Sequence, residues 1–192
     1  LYTSKKDGVA RISAQYSIKK ILEALLLWIS PILSFTAEEA YRELNGAEKS
    51  IFLESFDLSG RNFSLSLDDE TWNVLKTIKV EANRLLEEKR NSGVIGSSLD
   101  AEIKIFCNSE TFIRLSPCID ELKFLLIVSA VSLEVFEDSE NKEISIDVFE
   151  SKKDKCDRCW HHTGNLKQLL DSNLCPRCIE NIEGEGEKRK FF

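Results

Sequence analysis

The chain has 192 residues, 42% of them hydrophobic, with a mean hydropathy of -0.22 and a net charge of -7. That is enough for one ordinary core plus a small appendage. Its apolar runs, 21–33 and 122–135, are interrupted or too short to span a bilayer, which excludes a membrane-spanning class and predicts a soluble protein.

From Gly8 to Ser30 the spacing of Ile12, Tyr16, Leu22, Leu25, Leu26 and Ile29 predicts a helix, capped by Asp7 and ended or kinked at Pro31. Thr36-Ala37-Glu38-Glu39 reads as a capping box that opens a second helix through Leu44, stopped by Asn45-Gly46. Residues 46–66 form a loop-rich connector, pinned by Ile51, Phe52, Leu53 and Phe56. Asp68 or Asp69 caps a third helix that runs to about Lys89. Its apolar stripe is Leu75, Ile78, Ala82 and Leu85, with Trp72 and Leu86 at the margin. Lys76, Lys79, Asn83 and Arg90 share a face beside that stripe, which spacing alone makes a solvated surface.

Asn91-Ser92-Gly93 closes the third helix, and 95–101 is a tight turn in which Ser97 or Ser98 bonds local backbone. It is not a phosphate loop, because the Lys-Ser/Thr pair that completes one is missing. Ala101, Ile103 and Ile105 alternate with polar neighbours and predict a half-buried strand over 101–107. Pro117 starts a helix that buries Ile119, Leu122 and Leu126, while 125–129 and 131–136 read as strand material. Glu137 to Asn141 is an acidic turn, and Ile144, Ile146 and Val148 alternate as a further strand. Cys107 and Cys118 stand apart from the other cysteines and read as small core residues.

The strongest motif is Cys156-x2-Cys159, fifteen residues, then Cys175-x2-Cys178. Two such knuckles deliver four soft ligands in pairs, which points to one structural Zn²⁺; rubredoxin-like iron and a redox dithiol are the alternatives. The intervening span folds back as a hairpin or loop. Four thiolates leave no coordination position for water, so the metal's role is in folding and not in catalysis. Charge is unevenly spread: residues 1–100 carry net -2, 101–150 carry -7 and 151–192 carry +2. A nucleic acid would therefore meet the two ends of the chain. Arg158, Arg177, Trp160, His161, His162 and the run Lys188-Arg189-Lys190 supply stacking planes and cations of the kind that hold unpaired RNA. Trp160 reads equally as a packing residue over the knuckle, and His161 and His162 read as polar surface.

The residues around the cysteines, Lys155-Cys156-Asp157-Arg158-Cys159-Trp160-His161-His162 and Leu174-Cys175-Pro176-Arg177-Cys178-Ile179-Glu180-Asn181, resemble the C-terminal zinc segment of bacterial-type isoleucyl-tRNA synthetases. So does the closing stretch from Gly184 to Phe191. Trp28-Ile29-Ser30-Pro31-Ile32-Leu33-Ser34-Phe35-Thr36-Ala37-Glu38-Glu39 resembles a segment of the anticodon-binding helical domain in class I synthetases for branched aliphatic amino acids. Ile95-Gly96-Ser97-Ser98-Leu99-Asp100-Ala101 is similar to the turn that follows that domain.

The resemblance implies a mainly α fold with a small α+β unit. A helical anticodon-binding domain would span 1–94, a small α+β unit 95–150 and a four-cysteine zinc knuckle 151–192. It implies a tRNA partner, namely the anticodon stem-loop of isoleucine tRNA. Cys156, Cys159, Cys175 and Cys178 would hold zinc. Arg158, Trp160, Arg177, Lys188, Arg189 and Lys190 would contact RNA, with Lys76, Lys79 and Arg90 flanking the stem. The H-x-G-H and K-M-S-K-S motifs of class I catalysis are impossible in a chain with two adjacent histidines and no methionine. ATP and Mg²⁺ would belong to a catalytic domain elsewhere in the same polypeptide. The opening Leu-Tyr-Thr-Ser-Lys-Lys has neither an initiator Met nor an export signal, which fits a piece of a longer cytoplasmic, monomeric protein with reduced thiols. A zinc-knuckle module of the DNA-glycosylase type and a zinc-stabilised protein-interaction domain are the alternatives.

Overall fold

The computed structural model describes residues 1–55, 67–136, 144–169 and 171–192. The expected anchor Phe56 and acidic turn 137–141 lie outside the described residues. The chain divides into two compact units, 1–64 and 65–192.

In the first unit, helix α1 (Val9–Ile29) is followed by α2 (Ser34–Asn45). Gly8, not Asp7, is the N-cap of α1, and no side chain caps it. Helix α2 starts two residues before Thr36, with no side-chain cap. Thr36 and Glu39 therefore do not form the expected capping box. Between them, the Glu38 carboxylate accepts from the Ile51 amide at 2.9 Å and the Ser50 hydroxyl at 3.1 Å, tying down the connector. Of the expected pins among the described residues, Ile51 is buried, with Leu26, Ala37 and Tyr41, while Phe52 and Leu53 are exposed. Tyr41 Oη donates to Glu54 at 2.5 Å, and that bond pushes the phenol up to about 12.

The second unit is built on helix α3 (Asp69–Asn91) and a three-stranded sheet. Asp68 caps α3 by accepting from the Thr71 amide at 2.7 Å. The buried stripe is Thr71, Leu75, Ile78, Ala82 and Leu86; Leu85 and Trp72 sit at its edge, so Leu86 and Leu85 exchange their expected places. Gly93 closes the helix at φ 74°. A Cβ there forces an L residue into the left-handed region, so Gly93→Ala is expected to cost about 1–2 kcal/mol, read as a lowered denaturant midpoint at unchanged slope.

The central strand β1 (Ala101–Cys107) buries alternate residues, with Ala101, Ile103, Ile105 and Cys107 at 0–1% exposure. It pairs in parallel with β2 (Ala130–Val135) and antiparallel with β3 (Ile144–Glu150). The parallel crossover carries helices α4 (Ser109–Leu115) and α5 (Ile119–Leu126), joined by a 3-10 turn through Pro117. Helix α4 has no counterpart in the sequence reading, because seven residues show only two buried positions, Thr111 and Leu115. Residues 125–129 are not a strand. Ile127 adopts φ 57° and caps α5, with its amide on the Lys123 carbonyl, while Leu126 is buried in the core. Helix α3, β1, β3 and α5 thus share one core, in which Cys118 is also buried.

Candidate metal centre and nucleic-acid interface

The C-terminal residues form a small lobe. Strand β4 (Asp154–Lys155) pairs with β5 (His162–Thr163), and β6 (Lys167–Leu169) pairs with β7 (Ser172–Leu174). Helix α6 (Pro176–Glu183) follows, with Cys175 as its N-cap and Pro176 at its first position. The first knuckle is closed by the Trp160 amide on the Cys156 carbonyl at 2.9 Å and by the Cys156 amide on the His161 carbonyl at 3.0 Å. This closure holds Trp160 at φ 65°, a rare backbone state for a bulky residue. Asp157 ties the two knuckles together: its carboxylate accepts from the Asn173 amide at 2.6 Å, and its own amide donates to the Asn173 carbonyl at 3.1 Å.

The four buried sulfurs of Cys156, Cys159, Cys175 and Cys178 lie within 4.8 Å of one another, and Cys159 and Cys175 are 3.6 Å apart. A tetrahedron with metal–sulfur bonds of about 2.3 Å has sulfur–sulfur edges of about 3.8 Å, so the cage could hold a metal ion. Backbone amides already face the sulfurs: Cys175 donates to Cys156 Sγ at 3.3 Å, and Cys178 to Cys175 Sγ at 3.4 Å. Hydrogen bonds from Cys159 and Cys178 pull the Cys175 thiol down, while the bond to Cys175 pushes Cys159 up to about 11. Metal binding to such a cage requires its ligands to be deprotonated.

The two histidines are not surface groups. His161 is half-buried, with Nδ1 3.3 Å from the Cys159 carbonyl and its ring edge-on to Phe124 at 6.0 Å. Burial, followed by the nearby Arg177, depresses its pKa. The His162 amide donates to Ser129 Oγ at 2.6 Å, and its ring nitrogens lie 2.7 Å from the Lys153 carbonyl and 3.3 Å from Asp100. Asp100 in turn accepts from the Gly96 and Ser97 amides, and with the Ser97 side chain on the Asp100 backbone it forms a capping box that fixes the 95–101 turn, as expected of Ser97.

The expected RNA-facing residues fall into three groups. Trp160 is 59% exposed, and Lys155 Nζ lies 5.4 Å from its ring centre. Arg158 is half-exposed, and Lys188 and Lys190 are exposed. Arg177 does not project outward: it pairs with Glu187 at 2.8 Å and lies 5.1 Å from the Phe124 ring centre. Arg189 pairs with the same Glu187 at 2.9 Å and stacks on Phe124 at 3.8 Å. Burial raises the pKa of Glu187, but the bonds from the two guanidiniums outweigh it and hold the carboxyl at about 2. Lys76, Lys79 and Arg90 lie exposed on α3, and Arg90 is paired with Glu87 at 2.7 Å. Glu187 and Phe124 escape sequence reading, since a partner ten residues from Arg177 on no common helix face leaves no periodic signal.

Residues 1–105 match the family described as the anticodon-binding domain of tRNA ligase. The chain belongs to that family. The anticodon-binding domain match takes in α1, α2, α3 and most of β1, and it ends before the metal lobe. Similarity to individual family members runs further. Isoleucine–tRNA ligase of Mannheimia succiniciproducens is 40% identical over 99% of this chain. Those of Histophilus somni and Shewanella piezotolerans are 38% and 37% identical over the same 99%. The chain spans about a fifth of the length of these relatives, 21–22%. Among the described residues no helix is long and apolar enough to cross a membrane.

Proposed function

We propose that this chain is the part of an isoleucine–tRNA ligase that grips the anticodon stem-loop of its tRNA. The observation that carries the reading is a similarity to relatives of that one name which continues past the anticodon-binding domain match and through the whole metal lobe. It favours this reading over a zinc module of the DNA-glycosylase type and over a zinc-stabilised interaction domain. The cysteine cage holds one structural Zn²⁺, which suits four thiolates in a closed tetrahedron. Trp160 offers a stacking plane for an unpaired base, and Arg158, Lys188 and Lys190 hold phosphates. Lys76, Lys79 and Arg90 flank the stem. Arg177 and Arg189, paired to Glu187, act on RNA from a fixed position beside Phe124. The protein works as a cytoplasmic monomer, and ATP and Mg²⁺ bind in the catalytic part of the same polypeptide.

A binding series with isoleucine tRNA, an anticodon-swapped tRNA and duplex DNA tests the reading. Isoleucine tRNA is expected to bind tightest, and equal binding of all three would sink it. The chain alone is expected to catalyse no isoleucine-dependent exchange of pyrophosphate into ATP, because both adenylation motifs are missing. Measurable exchange by the purified chain would contradict that division of labour.

A further inference from the structure

Residues 187–192 leave the metal lobe and fold back onto α5. In the first turn of that helix, one carboxylate, Glu121, takes three successive backbone amides. Lys190 donates to Oε1 at 2.8 Å, and Phe191 and Phe192 donate to Oε2 at 2.9 and 2.8 Å. Successive amides make a concave anion site, and bonds to an ionised acceptor are about twice as strong as neutral ones. Phe191 and Phe192 pack against the main core, with Phe192 edge-on to Trp72 at 5.8 Å. Just before them, Arg189, paired with Glu187, closes on Phe124 of the same helix. The segment is thus strapped to α5 at two points, and Lys188 and Lys190 stay exposed along it.

The 101–150 segment to which α5 belongs carries net -7, a poor place for RNA. Glu121 escapes that objection, because its charge is spent on the amides of the strap. We propose that Glu121 is a positioning residue for RNA binding. By holding 190–192 it keeps Lys188 and Lys190 ordered as a cationic edge before RNA arrives, so their ordering is not charged against affinity. The proposal rests on the tRNA reading above.

The test is a salt series of anticodon stem-loop binding to metal-loaded chains: wild type, Glu121→Ala, Glu121→Gln, Lys188→Ala/Lys190→Ala, and the triple variant. At 0.1 M salt each lost phosphate contact lowers affinity about fivefold and flattens the slope of log K against log salt by about 0.7. Glu121→Ala is expected to lose one to two such contacts, as is the lysine pair. The triple variant should be no weaker than the pair, because Glu121 acts through those lysines. Glu121→Gln, which keeps an acceptor oxygen, should fall between wild type and Ala, and it serves as the readout if the Ala variant does not fold. An unchanged slope in Glu121→Ala, or additive losses in the triple variant, overturns the positioning role and leaves the tRNA reading standing. A wild-type chain that ignores the stem-loop overturns both.

Discussion

Cys175→Ser is expected to lose its stoichiometric metal and to unfold residues 152–185, while the 1–64 unit keeps its helices. The lobe has little else to hold it: its own buried cluster consists of the four cysteines and Leu174, edged by Leu166, Leu169 and Ile179. Metal binding to a thiolate cage of this kind is worth on the order of 10–16 kcal/mol and is largely folding free energy. Cys175 is also the most connected of the four. Its side chain caps α6 by accepting from the Cys178 amide, and its own amide donates to Cys156 Sγ. Serine could keep the cap, but it offers a hard, protonated oxygen where the metal needs a thiolate. Metal content per chain and circular dichroism read the outcome. Strand β1 and helix α3 lie in a separate cluster, so most of the helical signal should survive. Retention of one full equivalent of metal would mean another ligand set, with His161 beside the cage as the first candidate.

Trp160→Ala is expected to weaken anticodon stem-loop binding by about one to two powers of ten, because base stacking on an aromatic is worth about 1–3 kcal/mol. The indole is 59% exposed and sits in the left-handed region directly after a cysteine of the cage. A backbone outlier held by its surroundings costs about 1–3 kcal/mol, and such outliers cluster at functional sites. Lys155 Nζ at 5.4 Å adds a cation beside the same plane. Alanine relieves no side-chain clash in the core, so metal content and thermal stability should stay near wild type. The loss should be similar at all salt concentrations, unlike the losses predicted for Glu121. Isoleucine tRNA and an anticodon-swapped tRNA would both be measured; unchanged affinity for both would leave Trp160 without a role in readout.

The chain's local chemistry was legible wherever one residue and its near neighbours carry the information. Asp68 capping α3, the alternation along β1, the stop at Asn45-Gly46 and the two cysteine knuckles are short-range patterns of this kind. The resemblance at Trp28–Glu39 and 95–101 likewise depends on contiguous residues, and the match over 1–105 agrees with it. What failed was decided across longer separations. Thr36-Ala37-Glu38-Glu39 looks like a capping box, but α2 already begins at Ser34 and Glu38 serves Ile51, thirteen residues on. Residues 125–129 have the apolar, β-branched look of a strand, yet burial of Leu126 in the core extends α5 and turns Ile127 into its cap. The stripe of α3 was visible, but its partners, β3 and α5, were not.

The sequence by itself determined which residues are soft metal donors, where the basic excess lies and which helices and strands can exist, because composition and spacing are properties of the chain. Only the tertiary structure decided what the charges do. Arg177 and Arg189, read as phosphate contacts, come together on Glu187 and Phe124, and Glu121, which no sequence pattern singles out, anchors 190–192. The reason is physical: an ion pair or a carboxylate–amide clasp depends on distances between segments up to seventy-one residues apart, and no local pattern encodes that separation.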